Sequence, residues 1–388
     1  LAPSERQNLV DDIRREVHVL WQTNEVRAER PTVDNEVRSG LYYVDDILFD
    51  TIPAVYEELE RQLRRWYPVD QPRVPTVLRL GTWVGGDRDG NPSVTPSVTA
   101  DAMLAQRRLA LDKYAAAVAS LADDMSQSAR WTRLPPELDA SIRSAAELLP
   151  DVAPDVFARN PGEPFRQKLL FVWYRLLRTR DQGVGAPGAY ASAQSLDDDL
   201  ALVQRSLDQT ARGPERYEVD VWRPLARLRR QLGVFGFYLM HMDVRQHSER
   251  HTRAVADMLS RSGVAVDYVE RDEAGRVKAL MAWFDQAPLL AASRPKLSDD
   301  SSETVAVFET MASLTREVGP DAMGTYIVSM THSPSDLLAV LALASVSGMC
   351  RLDDGPDAFS RLDVVPLFET IDDPVSYTHL TLPTILRV

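Results

Sequence analysis

Three short runs rich in apolar, aromatic and β-branched residues, at 235–244, 326–330 and 363–368, constrain the fold more than any other feature. Such runs read as strands. Helical patterns at 247–262 and 302–318 separate the first two. A third helix separates the last two, capped by Ser335 and running from Asp336 to about Ser345. Strand, helix, strand, helix, strand predicts parallel β/α units, because parallel neighbours need a crossover between them. The last run, Val364-Val-Pro-Leu-Phe-Glu-Thr370, heads into one carboxylate, Glu369. If the strands belong to a parallel barrel, their carboxyl ends form its active face. A lone acid there is costly unless solvated, paired or bound to a metal. Taken alone, the run better describes a solvated acid opening a loop.

The preceding residues read mainly as helix. Ser4 caps a helix to Leu20, with Leu9, Val10, Ile13, Val17 and Leu20 on one face. Further helices are predicted at 44–66, 99–125, 165–179, 196–210 and 221–232, with loops at 81–92 and 181–194. The expected organisation is a helical region 1–232 carrying the glycine-rich loop 81–92, then a β/α region 233–373. Residues 374–388 contain no acidic residue, unlike the rest of this acid-rich chain. We expect a non-native tail there, a translated adapter or assembly join; an ordinary C-terminal extension is the alternative.

Composition narrows the function classes. The formal net charge is −13, which argues against nucleic acid or an anionic membrane surface as partner. No apolar run reaches the roughly 18 residues of a membrane span, and residues 1–20 lack the apolar core of a signal peptide. Cys350 is the only cysteine, so no internal disulfide can form, as suits a reducing cytoplasm.

Two segments offer chemistry. Gly81-Thr-Trp-Val-Gly-Gly-Asp-Arg-Asp-Gly-Asn-Pro92 has neither the Gly-Lys-Ser/Thr of a phosphate loop nor a dinucleotide fingerprint. It lacks the final glutamate of an EF-hand. Two readings stand: a multiple turn, or a rigid loop holding Arg88 and two carboxylates near a cleft. In Asp243-Val-Arg-Gln-His-Ser-Glu-Arg-His251, strand alternation places His241, Asp243 and Arg245 on one face and Met240, Met242 and Val244 on the other. Arg245 can grip an anion and Asp243 can orient it; an ion pair that steadies the strand end is the alternative. The positions of His247, Glu249 and His251 match no zincin pattern, and both histidines read as packing or helix-surface residues. His18 and His332 are isolated, Ser329 lacks a nucleophile elbow, and Cys350 reads as an incidental thiol.

Several runs together resemble phosphoenolpyruvate carboxylase. They are Trp21-Gln-Thr-Asn-Glu-Val-Arg27 with Arg30-Pro-Thr-Val33, Gly85-Gly-Asp-Arg-Asp-Gly-Asn-Pro92, Asn160-Pro-Gly-Glu-Pro-Phe-Arg-Gln-Lys-Leu169 and Asp243-Val-Arg-Gln246. Gly324-Thr-Tyr-Ile-Val-Ser-Met330 with Ser335-Asp-Leu-Leu-Ala-Val340, and the 364–370 run, complete the set. They stand in the family's order and reach to Asp373. The resemblance implies a mostly α chain with a partial parallel β/α (TIM-type) barrel inside a large helical surround. It implies conversion of phosphoenolpyruvate and bicarbonate into oxaloacetate and phosphate with Mg²⁺ or Mn²⁺, in a cytoplasmic homotetramer. Phosphate passes to bicarbonate, and the enolate then attacks the CO₂ released. By the same resemblance Glu369 is the metal ligand, Arg245 with Asp243 is catalytic, Arg88 is a substrate- or effector-binding residue near the functional core, and Arg27 corresponds to an effector-pocket arginine.

The departures matter as much. The family's catalytic histidine sits in a Thr-Ala-His-Pro-Thr run absent from these 388 residues. The second metal carboxylate, the catalytic lysine and the mobile glycine-arginine loop have no counterpart before Asp373. The resemblance therefore implies an internal fragment, inactive alone and poorly soluble because a partial barrel leaves strand edges open. The competing expectation is a non-catalytic helical scaffold that binds an anion; another barrel enzyme acting on phosphoenolpyruvate or pyruvate would leave the 21–33 and 85–92 runs unexplained.

Overall fold

The computed structural model describes residues 3–22, 32–68, 73–126, 128, 134–210, 222–263, 265–293, 296–352 and 358–368. The expected effector arginine Arg27, the expected metal ligand Glu369 and the tail 374–388 lie outside them. Among the described residues no helix is long and apolar enough to cross a membrane.

The fold is mostly helical. Helices α1 (Pro3–Gln22), α2 (Val33–Tyr43), α3 (Phe49–Trp66), α4 (Pro96–Asp124), α5 (Pro136–Leu148), α6 (Ala153–Arg159), α7 (Pro164–Gln182), α8 (Ala193–Thr210) and α9 (Arg223–Phe235) precede the main strands. A π-helical turn, Val44–Leu48, joins α2 to α3. Helix α4 shows why the sequence folds this way. Thr95 caps it through the Val98 N–H and Pro96 starts it, a residue that loses nothing at that position. Leu111, Tyr114, Val118 and Leu121 recur every three to four residues and are buried, so one face packs into a helical core with Leu169, Phe171 and Leu176 of α7.

A second core covers one face of a parallel sheet. Its strands are β1 (Gly81–Thr82), β2 (His241–His247), β3 (Met323–Ser329) and β6 (Asp363–Pro366), in the spatial order β1-β2-β3-β6. All three pairings are parallel. Helices α10 (Ser248–Arg261), α11 (Glu273–Ser293) and α12 (Asp299–Glu317) connect β2 to β3. Helix α13 (Pro334–Val346) and a small antiparallel pair, β4 (Cys350–Arg351) with β5 (Phe359–Ser360), connect β3 to β6. The predicted β/α succession is therefore present as a four-stranded parallel sheet. One strand was not foreseen: Gly81–Thr82, from within the helical part of the sequence, pairs with the start of β2.

Three local expectations need correction. The run 235–244 is not a strand throughout. Phe235 ends α9, a turn follows with positive φ at Gly236 and Leu239, and β2 begins only at His241. Phe235, Phe237 and Leu239 are buried all the same, with Tyr238 and Met240 less so; they fill the helical core from a turn whose alternating burial resembles that of a strand. His247 is the last strand residue and the N-cap of α10, accepting from the Glu249 N–H, rather than part of the helix. The cap of α13 is Ser333, in a capping box with Asp336, while Ser335 sits inside the first turn and bonds Glu273.

His251 of α10 shows how tightly the sheet's back is packed. It is fully buried, with Nε2 2.7 Å from the Tyr326 hydroxyl and Nδ1 unpartnered among the described residues. Burial foremost, with the nearby charge of His247, lowers its pKa to about 3. An unfolded histidine titrates near 6.5. Between these values the unfolded chain binds a proton that the folded chain refuses, so stability falls as the pH falls. The slope from this residue approaches roughly 1.4 kcal/mol per pH unit. Urea unfolding between pH 6.5 and 4.5 should show the loss, and His251→Gln should flatten it by up to one proton; an unchanged slope would exclude His251 as the cause.

Candidate functional site

Strand β2 places its side chains alternately. Met242, Val244 and Gln246 are buried on the helix side, while His241, Asp243, Arg245 and His247 stay partly open on the other face. That alternation matches the sequence pattern. Arg245 lies two residues from the carboxyl end of β2. Its strand neighbours in register are Ile327 of β3 and, beyond it, Val365 of β6. The open face thus reads arginine, isoleucine, valine across the sheet.

The glycine-rich loop forms the other wall. After β1 it bulges, with the Gly86 and Asp87 N–H groups both returning to the Trp83 carbonyl. It then rejoins β2: the Arg245 N–H donates to the Gly86 carbonyl at 3.0 Å and the Arg88 N–H donates to the Arg245 carbonyl at 2.9 Å. Gly85 needs its hydrogen, since its φ is +89°, a region side chains avoid. Gly86 needs it for space, because a Cβ there would come under 3.0 Å from the Asp243 carbonyl oxygen.

Extended chain alternates, and residues 87–89 divide accordingly. Arg88 turns toward α4 and is 7% exposed. Its guanidinium donates to the Thr99 hydroxyl at 2.5 Å and to the Gly86 and Thr95 carbonyls. Burial lowers its pKa, opposed by Tyr326, Glu303 and Asp87. Asp87 and Asp89 turn the other way. Asp89 accepts from Arg245 Nη2 at 2.6 Å, and Asp87 Oδ1 lies 3.7 Å from Arg245 Nε. Burial would raise the Asp89 carboxyl, but the hydrogen bond from Arg245, the nearby Ser329 hydroxyl and the charges of Arg245 and His247 hold it below its ordinary value. Asp89 is a carboxylate at neutral pH.

The structure therefore brings Arg245 together with Asp87 and Asp89, whose partnership the sequence did not reveal. Their spacing on either side of Arg88 was the available signal. Asp243 sits on the same face as Arg245, but its Oδ1 accepts from the Thr325 N–H at 2.8 Å, tying β2 to β3. Arg88 braces the loop against α4. A cavity of about 720 Å³ lies elsewhere. It adjoins residues 236–238 and 318–321, at the amino ends of β2 and β3. Its Arg227, Arg229 and Arg230 pair with Glu57, Asp197 and Glu60.

An arginine held by carboxylates near the carboxyl end of a parallel strand suits a protein that binds anions in the mouth of a β/α fold. The family model of phosphoenolpyruvate carboxylase matches residues 1–380. The phosphoenolpyruvate carboxylase of Roseiflexus castenholzii is 42% identical over 92% of this chain and 38% of its own length. That of a Synechococcus strain is 34% identical over 95% of this chain and 36% of its own. That of Xanthomonas euvesicatoria is 38% identical over 96% of this chain and 39% of its own. The chain belongs to the phosphoenolpyruvate carboxylase family. It spans well under half the length of these relatives.

Proposed function

We propose that this chain is an internal portion of a phosphoenolpyruvate carboxylase and that Arg245 holds the phosphate of phosphoenolpyruvate. The observation that carries the reading is the placement of Arg245. A guanidinium stands near a strand's carboxyl end, on the sheet face away from the helices, held by two carboxylates. A planar fork of donors fits phosphate oxygens bidentately. The same fork can stabilise charge on a phosphoryl group as it moves to bicarbonate. Asp243 sits where the β2–β3 register shifts, and its bond from the Thr325 N–H ties the strands there, two residues before Arg245 pairs with Ile327.

In this proposal the open four-stranded sheet is part of a TIM-type barrel. A homotetramer, a cytoplasmic location, the effector role of Arg27 and the metal role of Glu369 belong to the same proposal. Among the described residues no group of three or more His, Cys, Asp or Glu could hold a metal ion.

Calorimetric titration with phosphoenolpyruvate tests the reading. Arg245→Ala should weaken binding at least about tenfold, the loss of a charge-assisted pair. Equal affinity in the two proteins would remove Arg245 from the anion site. The isolated chain should form no oxaloacetate from phosphoenolpyruvate, bicarbonate and Mg²⁺, because it lacks the Thr-Ala-His-Pro-Thr run. Turnover would show that the missing residues are dispensable.

A further inference from the structure

We propose that Asp89, seconded by Asp87, is a positioning residue for Arg245, holding its guanidinium in the orientation that receives the anion. The inference rests on the reading of Arg245 given above and extends it to the glycine-rich loop.

Three observations converge. The backbone of the loop is stitched to the backbone of Arg245 on both sides, through the Gly86 carbonyl and the Arg88 N–H. Loop and arginine therefore move as one body. The Asp89 carboxylate takes Nη2 at 2.6 Å while Asp87 lies along the Nε side at 3.7 Å. A guanidinium is planar and rigid, so two fixed points on it set the direction of the whole fork. Lastly, the loop is itself braced from behind. Arg88 binds the Thr99 hydroxyl and the Gly86 and Thr95 carbonyls from a buried position. An arginine side chain left to itself has much rotamer freedom to lose on binding a ligand; here that freedom is lost on folding.

A carboxylate beside an anion site also repels the anion, and the two effects oppose each other. Coulomb energy falls as the inverse of distance. An anion in contact with the guanidinium, at about 3 Å, feels that charge about as strongly as the two carboxylates together at about 6 Å. Only the near contact also gains hydrogen bonds, and only if the fork is aimed. We therefore expect positioning to outweigh repulsion.

A double-mutant cycle read by calorimetric titration with phosphoenolpyruvate decides the matter. Asp89→Ala should weaken binding about tenfold, and in the Arg245→Ala background it should have no further effect. A residue that supports the fold alone would instead weaken both backgrounds alike. Asp89→Asn, which keeps the volume and one acceptor but loses the charge, should fall between Asp89→Ala and the unsubstituted chain, and melting curves confirm that each variant is folded. Unchanged or tighter binding by Asp89→Ala, or losses that add in the double variant, would overturn the inference while leaving Arg245 in place. Binding that does not depend on Arg245 would instead overturn the functional reading, and this inference with it.

Discussion

Gly86→Ala is expected to cost about 3 kcal/mol or more of stability and to loosen the loop from β2. The position has no room. A Cβ would come under 3.0 Å from the Asp243 carbonyl oxygen and meet the Met242 sulfur at 3.0 Å. The first obstacle is strand backbone at the irregularity between the Met242–Met323 and Val244–Tyr326 pairs, with the β2–β3 ladder on either side of it. The added methyl must therefore push the loop away. That movement would stretch the Arg245-to-Gly86 and Arg88-to-Arg245 backbone bonds together. Urea unfolding measures the loss of stability, and phosphoenolpyruvate titration reads the loosened clamp as weakened binding. Gly40→Ala is the matched control. Gly40 lies inside α2 with open space around its Cβ position, so alanine there should raise stability by about 0.5–1 kcal/mol. If Gly86→Ala were as well tolerated as Gly40→Ala, the close approach of loop and strand would be wrong.

Removing the carboxylate of Asp199 should be comparably damaging, for an electrostatic reason. Lys168, with a side chain only 2% exposed, places Nζ 2.5 Å from Asp199 Oδ1 and 2.7 Å from the Ser141 hydroxyl. Arg175 donates to the other carboxylate oxygen at 2.8 Å, as does the Tyr190 hydroxyl. The guanidinium of Arg175 also lies 3.8 Å above the Tyr190 ring. One carboxylate thus answers two cations inside the helical core. Burial already lowers the Lys168 pKa, with Asp199 opposing the shift. Asp199→Ala would leave both cations facing each other with no counter-charge. Breaking a buried pair in this way costs about 3–5 kcal/mol.

The pH dependence carries the diagnosis. Without Asp199 the folded-state pKa of Lys168 drops further, while the unfolded lysine stays near 10.4. Between these values the unfolded state binds more protons, so stability rises with pH. The variant should recover at alkaline pH, as measured by urea unfolding at pH 7 and pH 9. Tyr190→Phe, which removes one hydrogen bond, should cost only about 1 kcal/mol. A variant as stable as the parent at pH 7 would show that this cluster does not hold the core together.

The helical content and the β/α order were legible because both follow from short-range rules. The Thr95 cap, Pro96 and the recurring apolar residues of α4 specify that helix without knowledge of the rest of the chain. The alternation in β2 likewise named the open face, and with it Arg245, from seven consecutive residues. Where a turn buries alternate residues, as at Phe237 and Leu239, the same rules failed. They failed again at the cap of α13, where two serines compete within three residues and only the geometry around Asp336 separates them.

The amino-acid order alone settled which residues are chemically able to act and on which side of their own strand they lie, because backbone stereochemistry fixes alternation locally. Tertiary structure alone decided that Gly81–Thr82 would become a strand beside β2 and that Asp89 would meet an arginine 156 residues away. Pairing across such a distance is set by which backbones lie close enough to share hydrogen bonds, and at Gly86 that closeness exists only because a side chain is missing.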